Sequence, residues 1–303
     1  MNYYNNIKEL IGNTPLIKIN NFHTKSSVNI FSKLEYYNPT GSVKDRVGYY
    51  MINEYEKLGI LKKGMTIVEA TAGNTGLGVL LGALNRGYKI ILVVPDKFSI
   101  EKITLMKALG AEVILTPKEK GIKGALEYAE ELLSSIENSI SLKQFENINN
   151  PESHYSGTGK EIYNALHGDI DYFVAGAGSG GTFTGVMKYL KEKNSKVKGI
   201  LVDPYGSTMG GGEEGSYSIE GIGNNFIPKV MDMDLVYDVI KIRDEEAFYF
   251  SSELARREGI IAGPSSGAAM AAVLTLEKTI GSGNIVTLFP DRGDRYFSKG
   301  IYK

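Results

Sequence analysis

The 303-residue sequence predicts an α/β protein built on mostly parallel sheets. Three observations predict it. Short apolar runs alternate with longer stretches of helical spacing through most of the chain. Runs such as Ile90-Ile91-Leu92-Val93-Val94 are apolar throughout, as strands covered on both faces are. Glycine-rich turns recur where such a run gives way to a helix. In sheets of this kind ligands lie at the carboxyl ends of the strands.

The elements follow in order. After a polar arm and the turn Gly12-Asn13-Thr14-Pro15, a strand is expected at 30–34. It runs into Asn38-Pro39-Thr40-Gly41, and Val47, Tyr50, Met51, Tyr55 and Leu58 then recur at helical steps until Gly59. Ser42 is a candidate N-cap with Asp45 three residues on, which puts Lys44 in the first helical turn. Strands are expected at 65–69, 90–94, 113–115, 141–145, 172–175 and 197–202. Helices are expected between them at 76–85, 100–109, 125–136 and 184–193, and Asn150-Pro151 reads as a cap followed by proline at the first helical position. The segment 205–225 holds seven glycines and breaks the alternation, and a loop of that length points to function. A strand at 235–242, helices at 245–257 and 266–278 and a strand at 285–289 complete the chain.

Composition excludes several classes. A formal net charge of −1 gives no basic excess for nucleic acid, and no charge block forms a tail. The absence of cysteine excludes disulfides, thiolate catalysis and cysteine-bound metal. His23, His154 and His167 are scattered without metal-ligand spacing, so core, surface or loop roles are expected and no metal site. The first ten residues lack an apolar signal core, and no apolar run approaches a membrane span. A soluble cytoplasmic enzyme is the simplest expectation.

Lys44 sits where a strand hands over to a helix, facing unpaired backbone N–H groups and the positive end of the helix dipole. Both disfavour ammonium and leave the amine nucleophilic, although a surface lysine at a helix start has the same local pattern. Three turns present N–H groups to anions: Glu69-Ala70-Thr71-Ala72-Gly73-Asn74-Thr75-Gly76, Gly176-Ala177-Gly178-Ser179-Gly180-Gly181-Thr182 and Gly263-Pro264-Ser265-Ser266-Gly267. Glycine serves tight packing as well as anion approach, so a single such turn leaves both readings open. Together with the lysine they suggest a ligand with two anionic ends. Gly176, Gly178 and Gly181 also satisfy G-x-G-x-x-G, with Asp203 at the distance of a ribose-binding acid, so a nicotinamide-dependent oxidoreductase is a competing reading.

The stretch Asn38-Pro39-Thr40-Gly41-Ser42-Val43-Lys44-Asp45-Arg46, the Thr71-Ala72-Gly73-Asn74-Thr75-Gly76 turn, Gly178-Ser179-Gly180-Gly181-Thr182, Glu220-Gly221-Ile222-Gly223 and Ser265-Ser266-Gly267 resemble the cysteine synthase / cystathionine β-synthase family of fold-type II pyridoxal 5'-phosphate (PLP) enzymes. The resemblance spans nearly the whole chain. It implies two open, mostly parallel twisted sheets flanked by helices, with the cofactor between a smaller mobile domain, 38–145, and a larger one, 1–37 plus 146–303. It implies that Lys44 is the Schiff-base lysine and that Gly178, Ser179, Gly180, Gly181 and Thr182 hold the PLP phosphate. Asn74 would meet the ring hydroxyl and Ser265 the pyridine nitrogen, where a cap at the helix start is the alternative. Thr71, Ala72, Gly73, Asn74 and Thr75, with Gln144, would bind the substrate carboxylate, and Gly221, Ile222 and Gly223 would line the site. A homodimer is implied.

The implied reaction is β-replacement or β-elimination on cysteine, serine or O-acetylserine through an aminoacrylate, with release of hydrogen sulfide from cysteine as one outcome. A serine/threonine dehydratase is the alternative within the class, and a non-catalytic binding module the alternative outside it. Many cysteine synthases carry Pro and Ser where this chain has Ala70 and Ala72, so the leaving group and nucleophile stay open. Asp232 is expected either to activate water or a thiol at Cβ or to cap a turn. With the sequence ending at Lys303, no regulatory domain or haem arm is expected.

Overall fold

The computed structural model describes residues 3–22, 25–71, 73–96 and 98–302. Its elements are β1 (Leu16–Ile19), β2 (Val28–Leu34), α1 (Lys44–Lys57), β3 (Thr66–Ala70), α2 (Asn74–Ala83), β4 (Lys89–Pro95), α3 (Ile100–Ala108), β5 (Glu112–Thr116), α4 (Gly121–Ser135) and β6 (Ser139–Ile140). Then come α5 (Asn149–Ser153), a π-turn (His154–Gly159), α6 (Lys160–Ala165), β7 (Tyr172–Gly176), α7 (Gly181–Lys193), β8 (Lys198–Pro204), β9 (Val236–Ile242), α8 (Asp244–Glu258), α9 (Pro264–Thr279) and β10 (Gly283–Phe289). The chain divides into two compact units, Met1–Ile11 with Asn38–Asn149 and Gly12–Tyr37 with Asn150–Lys303.

The first unit is built on a parallel four-stranded sheet in the order β5-β4-β3-β6. Alternation along the strands sends Ile67, Leu92 and Val94 to a face shared with Val47, Met51, Leu77 and Met106 of α1, α2 and α3. Val68, Ile91 and Val93 go to the other face, against Ala125 and Ala129 of α4. Both faces are covered, which is why the strands read as unbroken apolar runs. Glycines let α1 and α2 touch: a Cβ on Gly78 would stand 2.1 Å from the Lys44 carbonyl oxygen, and one on Gly48 2.2 Å from the Gly78 carbonyl carbon. This contact fixes the start of α1 against the first turns of α2.

The second unit has a six-stranded sheet in the order β1-β2-β10-β7-β8-β9, parallel except for the edge pair β1 and β2. Val174, Ile200, Val202 and Ile285 face Met270 and Val273 of α9. Phe173, Ala175, Leu201 and Val286 face Phe183, Val186 and Leu190 of α7. Strand β7 lies between β10 and β8, so the helices joined to its neighbours leave on opposite faces, and the turn after β7 opens at the point where connections diverge.

Three local expectations change. The strand expected at 141–145 is the two-residue β6, because the Ser141 hydroxyl and Leu142 N–H that follow bond to the Glu69 side chain rather than extending the backbone ladder with β3. Asn150 lies inside α5 and is not its cap. Strand β1 falls in a stretch to which the sequence assigns no element.

Candidate active site

In the first unit, Lys44 is the opening residue of α1 and is partly buried. The expected Ser42 and Asp45 capping pair is displaced. The Ser42 Oγ accepts from the Lys44 backbone N–H at 3.3 Å, while the helix N-cap is Val43. The Asp45 carboxylate turns back instead: it accepts from the Thr40 N–H at 2.6 Å and from the Thr40 hydroxyl. Asp45 thus pins the Asn-Pro-Thr-Gly turn to the helix that presents the lysine.

The turn after β3 is organised by Thr71, whose Oγ1 accepts from the N–H groups of Gly73 at 3.0 Å and Gly76 at 3.1 Å. Gly73 has φ 134°, Asn74 opens α2, and the Thr75 hydroxyl donates to Gln144 Oε1 at 2.6 Å. Thr71, Gly73, Thr75 and Gln144 are therefore brought together, and the α1–α2 contact adds Lys44. Ala72 lies outside the described residues, as does His23.

Sequence reasoning gave Glu69 no role. It is 2% exposed, and its Oε2 accepts from the Ser141 hydroxyl at 2.9 Å and the Leu142 N–H at 3.0 Å. Burial pushes its carboxyl above the usual carboxylate range, against the pull of those hydrogen bonds. It ties the loop carrying Gln144 to the end of β3. The signal for it was visible as one acid in an otherwise apolar strand.

In the second unit, the turn after β7 leads into α7, whose first-turn N–H groups have no partners within the helix. Gly180 is left-handed with φ 88°, and a Cβ there would stand 2.6 Å from the Met231 Cβ, so only glycine fits. The Gly221-Ile222-Gly223 segment lies against this turn: the Gly223 N–H donates to the Ala177 carbonyl at 2.8 Å, and a Cβ on Gly178 would stand 2.6 Å from the Gly221 carbonyl oxygen. Ser265 is 3% exposed, and its Oγ is 3.9 Å from where a Cβ on Gly221 would stand. It does not cap α9, whose N-cap is Gly263 with no side-chain bond. Asp291 holds that helix start through its carbonyl, 2.9 Å from the Gly263 N–H, and its carboxylate takes the Tyr296 hydroxyl at 2.5 Å. Gly178, Ser179, Gly180, Gly181, Thr182, the 221–223 segment and Ser265 are thus assembled in one place. The N–H groups at the start of α7 suit an anion.

Asp232 caps the short turn Met233–Leu235 by accepting from the Asp234 N–H at 3.2 Å, and lies 3.6 Å from the Lys188 amine. Asp203 accepts from Lys241 at 2.7 Å and from the Gly210 N–H at 3.0 Å, which shows its carboxylate in a local network. Among the described residues no group of His, Cys, Asp and Glu could hold a metal ion, and no helix is long and apolar enough to cross a membrane.

The chain matches the family model described as pyridoxal-phosphate dependent enzyme over residues 7–291. It is 48% identical over 304 residues to the O-acetylserine dependent cystathionine beta-synthase of Bacillus subtilis (strain 168), covering 100% of this chain and 99% of that one. A solved O-acetylserine dependent cystathionine beta-synthase from Helicobacter pylori superimposes with a TM-score of 0.97 at 43% identity, with 100% of both chains covered. A solved hydrogen sulfide-producing enzyme from Fusobacterium nucleatum gives 0.94 at 42%, covering 97% of this chain and 100% of that one. With relatives alike from end to end and the family's pattern running through both units, the chain belongs to the pyridoxal-phosphate-dependent enzymes.

Proposed function

We propose that the chain catalyses β-replacement on O-acetylserine or serine, with a sulfur nucleophile entering at Cβ, and β-elimination of sulfide from cysteine at the same site. The carrying observation is residue 265: a buried hydroxyl, not a carboxylate, sits beside the 221–223 segment. A serine hydroxyl at the pyridine nitrogen does not hold that nitrogen protonated. The ring is then a weaker electron sink, which favours prompt loss of a β-substituent over transamination. The named activities of the B. subtilis and F. nucleatum relatives support the same pair of outcomes.

The residues present fit PLP. The turn at the start of α7 offers N–H groups and the hydroxyls of Ser179 and Thr182 to a phosphate, with glycines at 178, 180 and 181 where a Cβ would strike Gly221, Met231 and Asn150. PLP supplies the electron sink that makes the α-proton of the bound amino acid acidic. Lys44 binds the cofactor aldehyde and, as a free amine, takes and returns the α-proton at Nζ. Thr71, Gly73, Asn74, Thr75 and Gln144 hold the substrate carboxylate, with Asn74 also meeting the ring hydroxyl. The 221–223 segment limits the space beside the ring. Asp232 serves as base for water or a thiol entering at Cβ in addition to capping its turn. The active form is a cytoplasmic homodimer, which light scattering on the purified protein tests.

The test is spectroscopic and chemical. Purified protein is expected to be yellow, and Lys44→Ala is expected to lose both the borohydride-sensitive band and at least ~10³-fold of turnover, in line with loss of a covalent nucleophile and base. Incubation with O-acetylserine plus homocysteine should yield cystathionine, and incubation with cysteine should release sulfide. Keto acid as the sole product would move the assignment to a dehydratase. Asp232→Asn is expected to slow serine formation from cysteine by about 10²–10⁴-fold, the range of one general base, and to spare thiol addition more. Equal rates for every nucleophile would remove Asp232 from the mechanism.

A further inference from the structure

Helix α5 and the π-turn that follows it press side chains against the turn that opens α7. Asn150 is 1% exposed and its Nδ2 donates to the Ser179 Oγ at 2.9 Å. His154 is fully buried, with its Nε2 3.1 Å from the Thr182 Oγ1 and its Nδ1 2.9 Å from the Thr158 Oγ1. Thr158 is fully buried as well. The close approach is made by small residues on α7. A Cβ on Gly181 would stand 2.0 Å from the Asn150 Oδ1, and one on Gly185 2.1 Å from the Pro151 carbonyl oxygen and 2.7 Å from the His154 Cβ. The His154–Gly159 stretch is wound as a π-turn, a widened geometry frequent at functional sites.

We infer that Asn150 and His154 are positioning residues for the phosphate cradle, aiming the Ser179 and Thr182 hydroxyl protons at the anion. The inference rests on the reading that the Gly178-Ser179-Gly180-Gly181-Thr182 turn takes the cofactor phosphate. A hydroxyl has one proton and two lone pairs. When a donor behind it occupies a lone pair, its own proton is available in front. Asn150 is such a donor toward Ser179. For His154 the outcome depends on tautomer, and the Thr158 hydroxyl can favour one by donating to Nδ1. With the Thr158 hydroxyl donating to Nδ1, the neutral ring carries its proton on Nε2 and donates it to Thr182. The Thr182 proton then points to the phosphate. The opposite tautomer would accept the Thr182 proton and present oxygen lone pairs to an anion, which repels it.

The readout is the ratio of affinities for PLP and for pyridoxal, which lacks the phosphate, measured by equilibrium dialysis on apoprotein. His154→Leu is expected to lower that ratio about tenfold, the size of one charge-assisted hydrogen bond. It should also shift the 31P resonance of bound PLP. His154→Gln, which keeps a donor, should recover most of the ratio, and Thr158→Val should lower it severalfold. Thr182→Val should lower it by the same factor as His154→Leu, and the double variant should lose no more than either single one. An unchanged ratio in His154→Leu, or equal losses of PLP and pyridoxal, overturns the inference, as do additive losses in the double variant. If Thr182→Val itself leaves the ratio unchanged, the cradle assignment fails and the inference with it. A lowered ratio in Thr182→Val alone keeps the cradle and removes His154. Should His154→Leu not fold, His154→Gln and Thr158→Val carry the same comparison: an unchanged ratio in Thr158→Val then overturns the inference.

Discussion

Glu69 shows what a single side chain does in the first unit. It closes β3 and receives the Ser141 hydroxyl and the Leu142 N–H, so it holds the loop that carries Gln144. Its carboxyl is raised by burial, so the folded state prefers the neutral form. The contribution to stability is then fully present below the unfolded carboxylate pKa and is lost as pH rises through the higher folded value. Glu69→Gln keeps an acceptor oxygen and cannot ionise. Its melting temperature relative to the parent should therefore rise steadily as pH increases across the acidic range. A difference that stays flat with pH, or runs the other way, would mean the buried carboxylate is stabilised as an anion. The residue was legible as an oddity, an acid at 69 in an apolar run, but its partners lie over seventy positions later. Sequence shows that such a group needs partners and does not show which. His154 failed to stand out for the same reason, since a lone histidine without ligand spacing carries no pattern.

At the scale of elements, α1 and α2 explain a glycine-rich helix. Gly76, Gly78 and Gly82 weaken α2 by about 1 kcal/mol each relative to alanine on propensity alone. Gly78 is nonetheless required, because its missing Cβ leaves space for the Lys44 carbonyl. The two effects predict opposite signs for Gly78→Ala. Propensity alone would stabilise by up to about 1 kcal/mol, whereas overpacking against backbone costs about 1–3 kcal/mol or more. With a contact at 2.1 Å to backbone, the clash wins. Gly78→Ala should lower the urea midpoint and weaken the PLP absorption band together, because the helix that must move is the one presenting Lys44. A raised midpoint would show that the two helices adjust freely. The same tertiary reasoning accounts for what sequence could and could not reach. Strands buried on both faces leave apolar runs, so their positions along the chain and mostly parallel arrangement were legible, while their order within each sheet was not. The ends were not, because Asp45 bonds to Thr40 and Asn150 to Ser179 instead of capping the nearest helix. The Thr71 and Gly178 turns were legible as strand-to-helix turns because glycine and hydroxyl residues recur where an apolar run gives way to a helix.

At the scale of the whole chain, each unit has its own covered sheet, and each carries part of the proposed set of cofactor partners: Lys44, Asn74 and the Thr71 turn in one, the α7 turn and Ser265 in the other. A ligand bound by the folded chain and not by the unfolded one raises stability by mass action, by about 2.7 kcal/mol at a concentration a hundred times its dissociation constant. For a protein of this size that corresponds to a rise in melting temperature of roughly 4 °C. Stripping PLP with an amine reagent should therefore lower the melting temperature by about that much, and adding PLP back should restore it. Pyridoxal with inorganic phosphate supplied separately should restore less, because joining the ring and the anion in one molecule removes the entropy of placing two. Lys44→Ala should gain less from added PLP than the parent does, since the covalent bond is gone while the phosphate cradle stays. Calorimetry on these samples checks this. An unchanged melting temperature on stripping would mean that the folded chain does not bind PLP in preference to the unfolded one.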